Sequence, residues 1–129
     1  SDLKSLLIKV VASHHLEGIF HCAGTLNDSF LVNKTVEQFE NTLEAKVSGS
    51  IHLIQAANDV SQQTETGFDF ILFCSSCAGQ LGFVGQIDYA AGNGFIDGFS
   101  DARNKVGRNG FDRLLSVNWP LWENAGMGV

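Results

Sequence analysis

Three short apolar segments, Gly18 to Gly24, Phe68 to Phe73 and Arg113 to Trp119, are separated by longer stretches whose apolar residues recur at helical spacing. Leu3, Leu6, Leu7, Val10 and Val11 fall at i, i+3, i+4, i+7 and i+8, with Lys4 and Lys9 off that stripe. This predicts an amphipathic surface helix rather than a signal peptide. A second helix starts at Thr35, where Gln38 completes a capping box, and ends near Asn58. Its expected buried side is Val36, Phe39, Leu43, Val47 and Ile54. A third runs from about Tyr89 to Val106, with Phe95, Ile96, Phe99 and Ala102 on its apolar side and Gly107 as the C′ residue. Thr25 to Ser29 and the polar stretch Val60 to Gly67 are expected to be loops, the latter a variable surface loop. The order helix, strand, helix, strand, helix, strand implies right-handed βαβ crossovers and a parallel α/β sheet with helices on its faces.

The 129 residues make one domain or part of one. A 44% hydrophobic content with ten phenylalanines suffices for a core, and a net charge of −6 argues against a nucleic-acid surface. No run approaches the ~18 apolar residues of a membrane span. Three cysteines do not make a disulfide framework, so a reducing, cytoplasmic setting is expected.

The central strand stops at Cys74-Ser75-Ser76, and a loop punctuated by Gly79, Gly82 and Gly85 leads to Tyr89-Ala-Ala-Gly-Asn93. Ser76 therefore lies at a carboxyl strand end, where open α/β sheets bind ligands, and Tyr89 and Asn93 share one helical face. A phenol, with an ordinary pKa of about 10, is a poor acid at neutral pH. It becomes useful when a cation favours the phenolate and a second hydroxyl shares the substrate oxygen. Ser76 can supply that hydroxyl. Lys46, the only basic residue in the body of the second helix, is the candidate cation, and Asn93 can orient a water or a lysine. The set suits protonation of an oxyanion formed when hydride reaches a carbonyl.

Each signal has a plainer reading: a buried ring with a solvated amide, a strand-ending serine, a solvated lysine. Cys74-Ser-Ser-Cys77 has metal-site spacing, but no second ligand pair accompanies it, and no metal is expected. Ser75 and Ser76 lack a Gly-x-Ser-x-Gly elbow. His21 reads as a core or loop-anchoring residue, and Trp119 and Trp122 as a pocket wall or a packed aromatic corner.

The run Phe73-Cys-Ser-Ser76-Cys-Ala-Gly-Gln-Leu-Gly-Phe-Val-Gly-Gln86-Ile-Asp-Tyr89-Ala-Ala-Gly-Asn93 resembles the catalytic region of modular polyketide synthase ketoreductase domains, relatives of the short-chain dehydrogenases. His21-Cys-Ala-Gly24, Leu26-Asn27-Asp28, Ala45-Lys46-Val-Ser-Gly49 and Asn118-Trp-Pro-Leu-Trp122 extend the resemblance over nearly the whole chain. It implies NADPH-dependent reduction of a β-keto group on an acyl chain, carried as a phosphopantetheine thioester by an acyl carrier protein. Tyr89 would be the proton donor and Ser76 its partner. Lys46 and Asn93 match the family's remaining pair, exchanged relative to ordinary short-chain dehydrogenases.

Asp28 matches the diagnostic aspartate of the B-type motif, and Leu81 stands where A-type members carry tryptophan. Both imply a D-configured β-hydroxy product, with Asp28, Leu81 and Gln86 as the substrate-guiding positions. No Gly-x-Gly-x-x-Gly turn follows any strand. The resemblance therefore implies a partial Rossmann-type sheet, the family's fourth to sixth strands, without the amino-terminal cofactor-loop strands. Cofactor contacts stay unassigned, with Ala23 and Gly24 as candidates. The 129 residues are expected to form the carboxyl-terminal, catalytic-residue portion of such a domain, inactive alone, and to self-associate through the exposed sheet edge or pair with the missing half. A non-catalytic structural or docking half-domain is the alternative.

Overall fold

The computed structural model describes residues 2–107 and 110–123. Helix α1 (Asp2–Ser13) leads to strand β1 (Gly18–His21) and, after one 3-10 turn (Leu31–Asn33), to α2 (Val36–Leu43). A π-helical turn, Glu44–Ser48, joins α2 to α3 (Gly49–Thr64). Then come β2 (Phe68–Ser76), the short α4 (Ala78–Leu81), α5 (Ile87–Val106) and β3 (Phe111–Trp119). The three strands form one parallel sheet in the order β1-β2-β3, as the alternation of elements predicts.

Register decides which side chains share a face. Ile19 pairs with Ile71 and Ile71 with Leu114; His21 pairs with Phe73 and Phe73 with Ser116. Ile71, Phe73 and Leu114 are almost wholly buried, in one cluster with Leu7 of α1, Leu53, Ile54 and Val60 of α3 and Ile96 of α5. Burying each large side chain contributes about 1.5–3 kcal/mol. The opposite face carries Phe20, Phe70, Leu72, Leu115 and Trp119, none of them buried, and Phe20 is 63% exposed. The flanking helices expected for the sheet are present, and in these residues they pack with the core on one face. Two right-handed crossovers taken in the same direction across the sheet put both connecting helices on the same side.

Corrections are local. Residues 60–64 continue α3 instead of starting a loop, because Val60 extends the buried stripe of Leu53, Ala56 and Ala57. The chain leaves the helix only at Glu65, in the left-handed region at φ 55°. The second helix runs through as expected, with the π turn Glu44–Ser48 inside it: Leu43, Glu44, Ser48 and Gly49 all keep right-handed helical dihedrals. Strand β2 does end at Ser76, as expected, with Cys74, Ser75 and Ser76 pairing with Val117, Asn118 and Trp119. Strand β1 ends at His21, leaving residues 22–24 outside it. Leu6, Val36 and Ala102, expected on buried sides, are exposed. The Thr35–Gln38 capping box forms as expected: the Gln38 N–H donates to Thr35 Oγ1 (3.2 Å) and the Thr35 N–H to Gln38 Oε1 (3.1 Å).

Candidate active site

A cleft of about 1140 Å³ opens at the carboxyl ends of the strands. Ser76, Tyr89, Lys46, Asp28 and Gln86 line it, with Leu26, Phe83, Val84 and the Trp119–Trp122 segment as largely apolar walls. Five of the residues singled out by sequence therefore meet in one place. Trp119 and Trp122 satisfy both readings of that pair, because their rings stack edge to face at 5.5 Å while lining the cleft.

Each side chain is set by its element. Ser76 closes β2, and its Oγ accepts the Ala78 N–H at the start of α4 (3.2 Å), which leaves the hydroxyl proton free to donate. Tyr89 sits in the first turn of α5. Lys46 rides on the π turn, a local widening that frequently marks functional sites. Its Nζ donates to the Cys74 carbonyl at 2.6 Å and lies 5.9 Å from the centre of the Tyr89 ring, within cation–π range. Burial pulls the Lys46 ammonium below the ordinary lysine range, partly offset by the nearby Cys74 and Cys22 thiols.

His21 anchors the turn that carries Lys46. Its Nε2 lies 3.2 Å from the Ala45 carbonyl, its ring meets Phe73 edge-on, and Gly49 packs against it. Burial lowers the His21 pKa, favouring a neutral ring that donates to that carbonyl. Helix α5 approaches the Lys46 stem at Gly92, where a Cβ would stand 3.1 Å from Lys46 Cβ.

Asn93 is fully buried and lies outside the cleft lining. Its Nδ2 donates to the Tyr89 carbonyl (2.8 Å), and Oδ1 has no hydrogen-bond partner among the described residues. The structure thus contains no Lys46–Asn93 hydrogen bond, one of the two roles open to this amide. Leu81, on α4, is 77% exposed and outside the cleft, as are Ala23 and Gly24 beyond β1. Asp28 and Gln86, by contrast, join directly: Gln86 Nε2 donates to Asp28 Oδ2 at 2.7 Å.

Sequence reasoning did not single out Lys34, Asp88 or Asp97. Asp97 accepts from Ser116 Oγ (2.5 Å) and Gln80 Nε2 (2.8 Å), bolting α4 and β3 to α5. Lys34 and Asp88 form an ion pair at 2.8 Å with both side chains 1% exposed. A lysine and an aspartate far apart in sequence carry no local signal of pairing. Cys74 Sγ lies 3.1 Å from Cys22 Sγ, beyond the end of the neighbouring strand β1. No group of metal-ligating side chains occurs among the described residues.

A model of the KR domain family matches residues 1–124. The chain is 42% identical over 118 residues to the polyketide synthase PksN of Bacillus subtilis, covering 88% of this chain and 2% of that protein. To the 6-methylsalicylic acid synthase of Penicillium terrestre it is 36% identical over 112 residues, 87% of this chain and 6% of that one. Among solved structures, a ketoreductase domain from the bacillaene assembly line superposes with a TM-score of 0.86 at 38% identity. That match covers 98% of this chain and 30% of the other. A short-chain dehydrogenase from Escherichia coli, complexed with NADPH, shares the fold with a TM-score of 0.75 at 21% identity, over 92% of this chain and 49% of that one.

Proposed function

From a chain that belongs to the KR domain family of the short-chain dehydrogenase superfamily, we propose the proton-delivering portion of a polyketide synthase ketoreductase. The whole domain reduces the β-keto group of an acyl thioester presented by an acyl carrier protein, with NADPH, to a D-configured β-hydroxyacyl product. The observation that carries this reading is that Ser76, Tyr89 and the buried Lys46 line one cleft at the carboxyl ends of the strands.

The chemistry of the donor set fits the reactive end of a nicotinamide cofactor: a buried cation beside a phenol, in a cleft with mostly apolar walls. Lys46 and Tyr89 would hold that end, with Cys22 beside it. The bound cofactor supplies hydride. No glycine-rich phosphate turn follows any strand of this sequence, so no residue here is assigned to the cofactor's phosphates.

The ketone oxygen sits between Ser76 Oγ and the Tyr89 hydroxyl. Ser76 donates a hydrogen bond to it throughout. Tyr89 passes its proton to the oxygen as charge develops there, and the Lys46 ammonium stabilises the phenolate left behind. Asn93 fixes the backbone of Tyr89 from the next helical turn. Asp28, held by Gln86, guides the acyl chain past the ring, and with Leu81 turned out of the cleft that guidance falls on Asp28 and Gln86.

The test is the complete ketoreductase domain containing this chain, assayed for NADPH oxidation with a β-ketoacyl thioester. Tyr89→Phe should lower the rate by about 10²–10⁴-fold, the contribution of a positioned proton donor. An unchanged rate would overturn the reading. A non-catalytic half-domain would show no activity to lose.

A further inference from the structure

The buried pair Lys34–Asp88 makes no contact with the cleft, yet each partner is bonded beside a residue that does. Lys34 Nζ donates to the carbonyl of Asn27 (2.6 Å), immediately before Asp28. Asp88 Oδ1 accepts the N–H of Tyr89 (3.0 Å). Through two charged side chains, the segment carrying Asp28 is tied to the first turn of the helix carrying Tyr89.

Two more bonds run along the same seam. The Ser29 N–H donates to the Gly85 carbonyl (3.0 Å), and Gln86 donates to Asp28. The Gln86–Asp28 bond is exposed, however, where water competes for both partners. The segment from Thr25 to Phe30 has no helix or strand of its own to hold Asp28 in place. The ion pair is a charged link with both side chains 1% exposed and both groups multiply hydrogen-bonded, as a buried pair requires; the weaker Asn27 Nδ2 bond to Thr42 Oγ1 (3.4 Å) accompanies it. Burial pushes the Asp88 carboxyl up, but the bonds from Lys34, Thr42 and the Tyr89 N–H, with the Lys34 charge, more than offset this and hold it below the usual carboxylate range.

Resting on the ketoreductase reading, we propose that Lys34 and Asp88 are positioning residues that set the separation of Asp28 from Tyr89 and so determine which face of the ketone is reduced. If Asp28 drifts relative to the phenol, the acyl chain can enter in either sense while the proton donor stays intact. Misplacement of about 1 Å is enough to change rates a hundredfold.

The experiment uses the complete ketoreductase domain with Lys34→Met, Asp88→Asn, the double variant and Lys34→Arg. A β-ketoacyl thioester and NADPH are supplied, the two hydroxy epimers are separated, and amide hydrogen exchange is followed on the same samples. The single variants should erode the epimer ratio by about tenfold or more. The double variant should be no worse than the worse single, and Lys34→Arg should recover much of the ratio. Exchange should quicken at residues 25–30 and Tyr89 while Phe68–Ser76 stays protected. An unchanged epimer ratio would overturn the proposal, and so would loss of protection throughout the domain in both single variants, which would make the pair a general stabiliser. If the unaltered domain reduces nothing, the ketoreductase reading fails, and local loosening at 25–30 and Tyr89 would still support the tie between the two segments.

Discussion

Lys46 carries an ammonium to 2% exposure, held by a carbonyl rather than a carboxylate. Such a group costs stability, because a buried charge is poorly compensated by a neutral acceptor. The consequence is visible in pH. With the folded-state pKa depressed, the unfolded chain binds a proton that the folded chain does not, between that lowered value and about 10.4. Stability from this group therefore rises as pH increases through that window. Urea midpoints at neutral pH and near about pH 10 should show the rise, and Lys46→Met should remove it while abolishing reduction in the complete domain. A Met variant with the same pH dependence as the unaltered protein would contradict the assignment. The sequence marks Lys46 as the lone cation in its helix but carries no sign of its burial, which depends on the π turn and on Gly92 letting α5 close over the stem.

Among the elements, α4 and α5 are held at a distance that only glycine permits. A Cβ on Gly79 would stand 2.8 Å from the Gly94 nitrogen and 3.0 Å from the Asn93 carbonyl carbon, both backbone atoms that cannot rotate away. Gly79→Ala should cost about 1–3 kcal/mol in urea unfolding, despite alanine's better helix propensity. A neutral or stabilising result would mean that the two helices slide apart freely. The glycine is evident in the sequence as a turn signal; its role as a contact is not, because the atoms it meets come from a different helix. The same limit explains the missed end of α3. Val60 belongs to the helix by its packing, whereas its polar neighbours Ser61, Gln62 and Gln63 read as a loop. At the far end of α5, Asn104 donates to the Leu114 carbonyl (2.7 Å) and accepts its N–H (3.0 Å), tying the helix to β3.

At the scale of the molecule, one sheet face is packed and the other is not. Among the described residues strand β1 pairs on one side only, and Phe20 and Leu115 stand 63% and 38% exposed on the face away from the core. An apolar sheet face with an unpaired edge is a site for association. We expect the 129-residue chain by itself to self-associate in light scattering, and to show no NADPH-dependent turnover; a monodisperse monomer, or turnover of a simple β-keto thioester, would contradict this. Alternation of strand and helix, the Thr35–Gln38 capping box and the Tyr89–Asn93 face were determined by the sequence alone, because each is a periodicity or spacing of near neighbours. Only the tertiary structure decided that both crossover helices take the same face, that Asp28 meets Gln86, and that Lys34 finds Asp88. Those pairs lie 58 and 54 residues apart, and nothing in local spacing encodes a contact that exists only once the strands have been registered side by side.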